Sequence, residues 1–93
     1  VITYVSRGDK GEHPEQVQAL IRYGADVGEC DNKGRTALHN AARAGFTRVI
    51  DVLLSAGANV NARMYSGQTP LALAIDKKRH AAADLLRAHG GIL

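Results

Sequence analysis

Ninety-three residues make one small domain, and a domain of this size buries only about 60–65% of the surface its unfolded chain exposes, so its core must be thin. The composition, 45% hydrophobic and 23% charged, is that of a soluble globular chain, and a net charge of +3 with the basic residues scattered leaves no electrostatic footprint for nucleic acid. Cys30 is the one cysteine, which excludes an internal disulfide or a Cys-based zinc site and fits a reducing compartment; no apolar run approaches the roughly 18 residues of a membrane span, and no secretory leader pattern is visible. The aromatics are Tyr4, Tyr23, Phe46 and Tyr65, so Leu, Val, Ile and Ala must do the packing. The chain opens on Val1 and is expected to be a trimmed or processed piece of something longer.

Taken in order, the chain repeats itself. Thr3, Leu20 and Gly24-Ala25-x-Val27 return 33 positions later as Thr36, Leu53 and Gly57-Ala58-x-Val60. Gly34, Thr36, Leu38, Ala41, Asp51, Leu53 and Gly57 return again, at the same spacing and without a gap, as Gly67, Thr69, Leu71, Ala74, Asp84, Leu86 and Gly90. A fixed period in this range is the signature of a solenoid.

Each unit reads as two short helices. Asp31-Asn32-Lys33-Gly34 is turn chemistry, with short polar side chains that bond nearby backbone and then a Gly for positive φ. Thr36 follows as the N-cap of a first helix, whose inward stripe is Leu38, Ala41 and Ala42 and which Gly45 ends. Val49, Ile50, Leu53 and Leu54 form the buried face of a second helix, Gly57 gives it a left-handed stop, and Ala58 to Ala62 is expected to run out extended to the next turn. In the last copy Pro70 follows Thr69 at the first helical position, where a missing N–H costs nothing.

"DNKGRTALHNAARAGFTRVIDVLLSAGANVNA" (Asp31 to Ala62) resembles the ankyrin repeat family nearly throughout, "SGQTPLALAIDKKRHAAADLLRAHGG" (Ser66 to Gly91) is a looser second match, and "HPEQVQALIRYGADV" (His13 to Val27) is similar to the second helix and exit loop of a repeat. The resemblance implies an all-α solenoid of helix–turn–helix units joined by short β-turn or hairpin loops. The expected division is a degenerate N-terminal repeat over 1–30, a full repeat over 31–63 and a C-terminal capping repeat over 64–93. The first copy has Gly8, Asp9, Lys10 and Gly11 where a helix with two alanines is expected; each Gly costs about 1 kcal/mol relative to Ala, so this helix should be short or frayed. The last copy has Ala72 in place of His, Lys78-Arg79 in place of Gly-His, and a second helix thinned to Ala81-Ala82-Ala83-Asp84, which suits a terminal cap.

Several residues invite a chemical reading. His39 near Thr36 has the look of a general base, but the resemblance implies that the two bond each other and the adjacent loop, and Ala72 replaces the His while the frame persists. His13, His39, His80 and His89 fall at non-equivalent repeat positions, so no metal site is expected. Cys30 has no Cys-x-x-Cys partner to activate it, and the glycines occupy turn and cap positions of the repeat instead of a phosphate-binding loop. No cofactor and no catalysis are expected. Lys77-Lys78-Arg79-His80 reads as a solvated run at the negative end of the last copy's first helix, with acidic partners or phosphates as the other reading.

The turn tips and inner-helix ends differ from the rest because the core does not need them. In the family these positions line a concave face that binds other proteins. Here they present Arg35, Arg43, Met64, Tyr65, Gln68, Asp76 and Lys77, including types enriched at interface hot spots. The expected function is protein–protein recognition by a chain that is a monomer alone, binds neither nucleic acid nor membrane, and works inside the cell, in cytoplasm or nucleus. The alternatives are a targeting segment of a longer enzyme or effector, and a structural segment of a longer solenoid. Asn61, in the exit segment, matches a position hydroxylated in some ankyrin proteins of animal cells and is the expected modification site.

Overall fold

The computed structural model describes residues 14–93, which form five helices: α1 (Pro14–Arg22), α2 (Ala37–Ala44), α3 (Thr47–Ser55), α4 (Pro70–Asp76) and α5 (His80–Ala88). Helices α2 and α4 pack side by side as an inner layer, and α1, α3 and α5 line up behind them as an outer layer. Each inner helix therefore touches its own outer helix and the inner helix of its neighbour. The division of labour is visible in side-chain size. The inner seam is closed by Ala41, Ala42 and Ala74, which let helix backbones approach, and the outer layer contributes Val49, Ile50, Leu53 and Leu86. All of these are buried, Leu53 and Leu86 completely.

The punctuation recurs with the period. Thr36 and Thr69 both sit in extended backbone at the N-cap of α2 and α4, each accepting the N–H three residues on, His39 and Ala72 respectively. Each outer helix ends in the same closure. The N–H of Ala25, Ala58 and Gly91 bonds back to the carbonyl of Leu20, Leu53 and Leu86, with Gly24, Gly57 and Gly90 in the left-handed region between. Between the paired helices, Gly45 takes φ +78°, and its counterpart one repeat later is Lys78 at φ +58°, the one non-glycine at positive φ among the described residues.

The exit segment is not extended throughout: Asn59 to Ala62 closes as a turn, with the Ala62 N–H on the Asn59 carbonyl (3.2 Å) and the Asn61 N–H on the Asn59 side chain (3.0 Å). An Asn at the start of such a segment offers its own backbone a local acceptor, and that wins over extension. The run Lys77 to His80 is exposed along its length, as expected, and within it Arg79 folds back across Gly45 and donates through Nε to the Arg43 carbonyl (3.1 Å). The short first helix expected around Gly8 to Gly11 lies outside the described residues.

Candidate protein-binding surface

The tip of the middle repeat is built by one carboxylate. Asp31 Oδ1 accepts the N–H of Lys33 (2.9 Å) and of Arg35 (3.0 Å), and Oδ2 accepts Arg35 Nε (3.0 Å). Partial burial works against ionisation of Asp31, but these donors outweigh it and hold the carboxyl below its ordinary 3.8. The Asp31 N–H returns to the Arg35 carbonyl, and Cys30 bridges Thr36, which completes a small hairpin. Arg35 is thus half-buried and engaged by its own turn, where the sequence suggested a cation on display. In the last repeat Met64 holds the Asp31 position, and the turn is closed instead by backbone, with the Met64 N–H on the Gln68 carbonyl and Arg63 bonding the Gly67 carbonyl.

The two tips are joined. The Tyr65 N–H donates to the Lys33 carbonyl (3.1 Å), and its ring lies against Gly34 so closely that a Cβ there would stand 2.8 Å from it. Gly34 is therefore required twice, for φ +79° and for this approach. The neighbouring Cys30 side chain, with partial desolvation and the Asp31 charge, pushes the Tyr65 phenol above the ordinary 10.0. The residue is nevertheless 75% exposed, and together with Met64, Asn32, Lys33 and Ser66 it lines a cleft of about 370 Å³.

Beneath the tips, His39 links the repeats. Its Nδ1 accepts the Thr36 N–H (3.1 Å) and meets the Thr36 hydroxyl at 2.9 Å, so Nε2 carries the proton and donates to the Gln68 carbonyl (3.0 Å). The ring is completely buried. Burial lowers its pKa below the usual 6.5, although the Gln68 and Ala62 carbonyls pull the other way. With both nitrogens held, neither is free for proton transfer. Thr69 has no such partner at Ala72, and its hydroxyl donates instead to the Ile92 carbonyl (2.6 Å). Asn61 fixes the same tail: its side chain accepts the Ile92 N–H (2.9 Å) and donates to the Gly90 carbonyl (3.2 Å).

The predicted contact residues fall into two groups. Arg35, Met64, Tyr65 and Gln68 stand at the joined tips; the Gln68 side chain accepts from Ser66, and its carbonyl is the one His39 holds. Arg43, Asp76 and Lys77 stand at the C-terminal ends of α2 and α4, where Asp76 and Lys77 approach to 3.9 Å. Arg43 and Lys77 share a second cleft, about 320 Å³, with Asn40, Ala44 and Arg79. Arg79, which the sequence offered only within the Lys77–His80 run, lines this cleft as well. Among the described residues, no three His, Cys, Asp or Glu side chains converge as metal ligands would, and no helix is long and apolar enough to cross a membrane.

Residues 4–92 match the family model for ankyrin repeats in three copies. The chain belongs to the ankyrin-repeat family. Ankyrin repeats are generally protein–protein interaction modules. The chain is 42% identical over 77 residues to an ankyrin repeat-containing protein of Treponema pallidum (strain Nichols), covering 82% of this chain and 26% of that one. It is 40% identical over 75 residues to the 2-5A-dependent ribonuclease of Mus musculus, covering 80% of this chain and 10% of the relative. It is 36% identical over 87 residues to the E3 ubiquitin-protein ligase KEG of Arabidopsis thaliana, covering 92% and 5%. The chain thus spans a small part of each of these curated relatives.

Proposed function

We propose that the chain is a non-enzymatic recognition module whose three units, over 1–30, 31–63 and 64–93, present one face to a partner protein. The contact set is Arg35, Met64, Tyr65 and Gln68 at the tips with Arg43, Asp76 and Lys77 at the inner-helix ends. The observation that supports this best is Tyr65, a large ring exposed at a tip whose backbone is already fixed to the neighbouring repeat. A rigid aromatic anchor desolvates at little cost in conformational freedom. No catalytic step, cofactor or metal is assigned; the module acts as a monomer, away from membrane and nucleic acid, in the cytoplasm or nucleus. Asn61 is the proposed modification site, and an enzyme reaching it must first displace the tail that its amide holds.

A second reading is favoured by the comparisons: two of the relatives are by name a ribonuclease and a ubiquitin ligase, each far longer than the matched segment. In that reading the module directs a longer enzyme or effector to its target, and the chemistry resides elsewhere. A structural segment of a longer solenoid is the remaining possibility.

The test is affinity capture with the intact chain as bait, followed by calorimetric titration of the captured protein. Tyr65→Ala should leave the melting temperature within about 3 °C, as surface changes of about 0.5 kcal/mol do. It should weaken binding by more than about 1.4 kcal/mol, a factor of ten. If Tyr65→Ala and Met64→Ala both bind like the parent, the tips are ordinary solvated surface.

A further inference from the structure

The second cleft has a charge the fold does not use. Arg43, Lys77 and Arg79 line it, Lys78 lies between the last two in the chain, and among the described residues Asp76 is the one carboxylate paired with any of these four cations. Two helix C-termini supply only about half a negative charge each, so roughly two positive charges remain uncompensated. Nor are the cations needed as caps. The carbonyls of Ala41 and Ala42 accept Gly45 and Phe46 backbone N–H groups, and those of Leu73, Ala74 and Ile75 accept the backbone N–H of Lys77, Arg79 and Lys78. Only Arg79 makes a side-chain bond to a helix end, and it does so through Nε, which leaves the outer fork of its guanidinium available.

Resting on the reading of this face as a protein-binding surface, we propose that the cleft between the C-terminal ends of α2 and α4 takes an acidic segment of the partner, with Glu or Asp side chains on Arg43 and Arg79 and the Lys77–Lys78 pair steering its approach. Arg79 is pre-aimed: its stem lies on Gly45, with Cδ so close that a Cβ there would stand 2.9 Å away, and its Nε is tethered to Arg43. A guanidinium fixed in this way receives a carboxylate with two parallel bonds at little ordering cost. The volume of about 320 Å³ suits one or two carboxylate side chains. No aromatic ring lines the cleft, so it lacks the stacking faces that single-stranded nucleic acid uses.

The experiment measures fluorescence anisotropy of a labelled peptide of alternating Glu and Ser against the intact chain, with the same peptide carrying Gln for Glu as comparison. The Glu peptide should bind at least about tenfold more tightly and lose that advantage in high salt. Arg43→Gln combined with Arg79→Gln should cost about tenfold. Because Arg79 also ties down α2, Lys77→Gln with Lys78→Gln is the second variant, and it should weaken binding with an unchanged melting temperature. Arg22→Gln, which removes a cation from α1 in the outer layer, should change nothing. Equal binding of the two peptides, equal losses from Arg22→Gln and the cleft variants, or tighter capture of oligothymidylate or anionic vesicles by the same residues would each overturn the proposal. A captured partner that responds to Tyr65→Ala while the Glu peptide fails to bind would overturn the cleft alone and leave the tips standing.

Discussion

Thr36 and Thr69 open equivalent helices one repeat apart, yet different groups complete them. In the middle repeat the hydroxyl and N–H of Thr36 both meet His39, whose far nitrogen bonds the Gln68 carbonyl of the next repeat. In the last repeat Ala72 leaves that place empty, and the chain's own tail comes round so that the Ile92 carbonyl takes the Thr69 hydroxyl. The cap itself, a hydroxyl accepting a backbone N–H, is the same in both. His39 is therefore needed for the bridge to the following unit more than for the helix start, and at Thr69 the Ile92 carbonyl takes the hydroxyl instead.

Substitutions at equivalent positions sharpen this comparison. The largest difference is expected in the outer layer. Leu53 packs within α3, flanked by both α1 and α5, whereas Leu86 sits on α5 with a described neighbour on one side only. Leu53→Ala should cost about 2–5 kcal/mol, against a total of about 5–15 for a domain, and in this chain Leu86→Ala should fall lower in the range because fewer described helices hold α5 in place around the void. Urea melts decide this, and coincident curves for Leu53→Ala and the parent would mean that the core is misassigned.

The bridge comes next. His39→Ala orphans the Thr36 N–H and should cost about 1–3 kcal/mol, whereas Ala72→His should gain less than about 0.5, since the Thr69 hydroxyl is already engaged. The bridge also titrates. Its pKa in the folded chain lies below the 6.5 of the unfolded one, so the unfolded chain binds the extra proton first. The contribution of His39 is complete above pH 6.5 and is lost as pH falls toward its lowered value. Thermal melts should show that decline below pH 6.5, and a His39→Gln variant should not. An unchanged acid limb in the variant would place the titration elsewhere.

Two smaller effects run in the stabilising direction. Lys78 adopts the left-handed conformation that Gly45 adopts one repeat earlier, at about 1 kcal/mol for a residue with a Cβ. Lys78→Gly should recover most of that. Gly45→Ala should lose more than the same amount, because its Cβ would also press on Arg79. Ala37 occupies the slot that Pro70 fills, after a Thr36 whose ψ of 172° already suits a following proline. Ala37→Pro should then gain about 0.4–1 kcal/mol by restricting the unfolded chain, and a loss of 2 kcal/mol or more in a melt would show that α2 starts before Ala37.

What the sequence disclosed, and what it did not, follows from range. The caps, stops and inward faces depend on residues within one turn of each other, so Thr36, Gly57, Gly90 and the Leu53 face were legible from spacing alone. The Thr36–His39 pairing came from the resemblance, and its outcome in the structure is a buried ring bonded on both sides. Hidden in the sequence were contacts that depend on where one repeat lies against the next. Arg79 on the Arg43 carbonyl spans 36 positions, and Asn61 on Ile92 spans 31. The Arg35–Asp31 ion pair is local but went unread, since Asp31 four residues earlier was taken as a turn former and not as a partner for the guanidinium.

The bond from the Tyr65 N–H to the Lys33 carbonyl has one more consequence. A tip is where solvent hydrogen exchange and local opening should be fastest, yet this amide can exchange only when the two repeats part. The exposed Tyr65 ring therefore sits on a backbone tied to the neighbouring tip, and slow exchange of the Tyr65 amide is the expected outcome in solution. On the proposed reading of this face, a partner that contacted both tips would meet a ruler of set length and would be selected for the spacing of its own two epitopes.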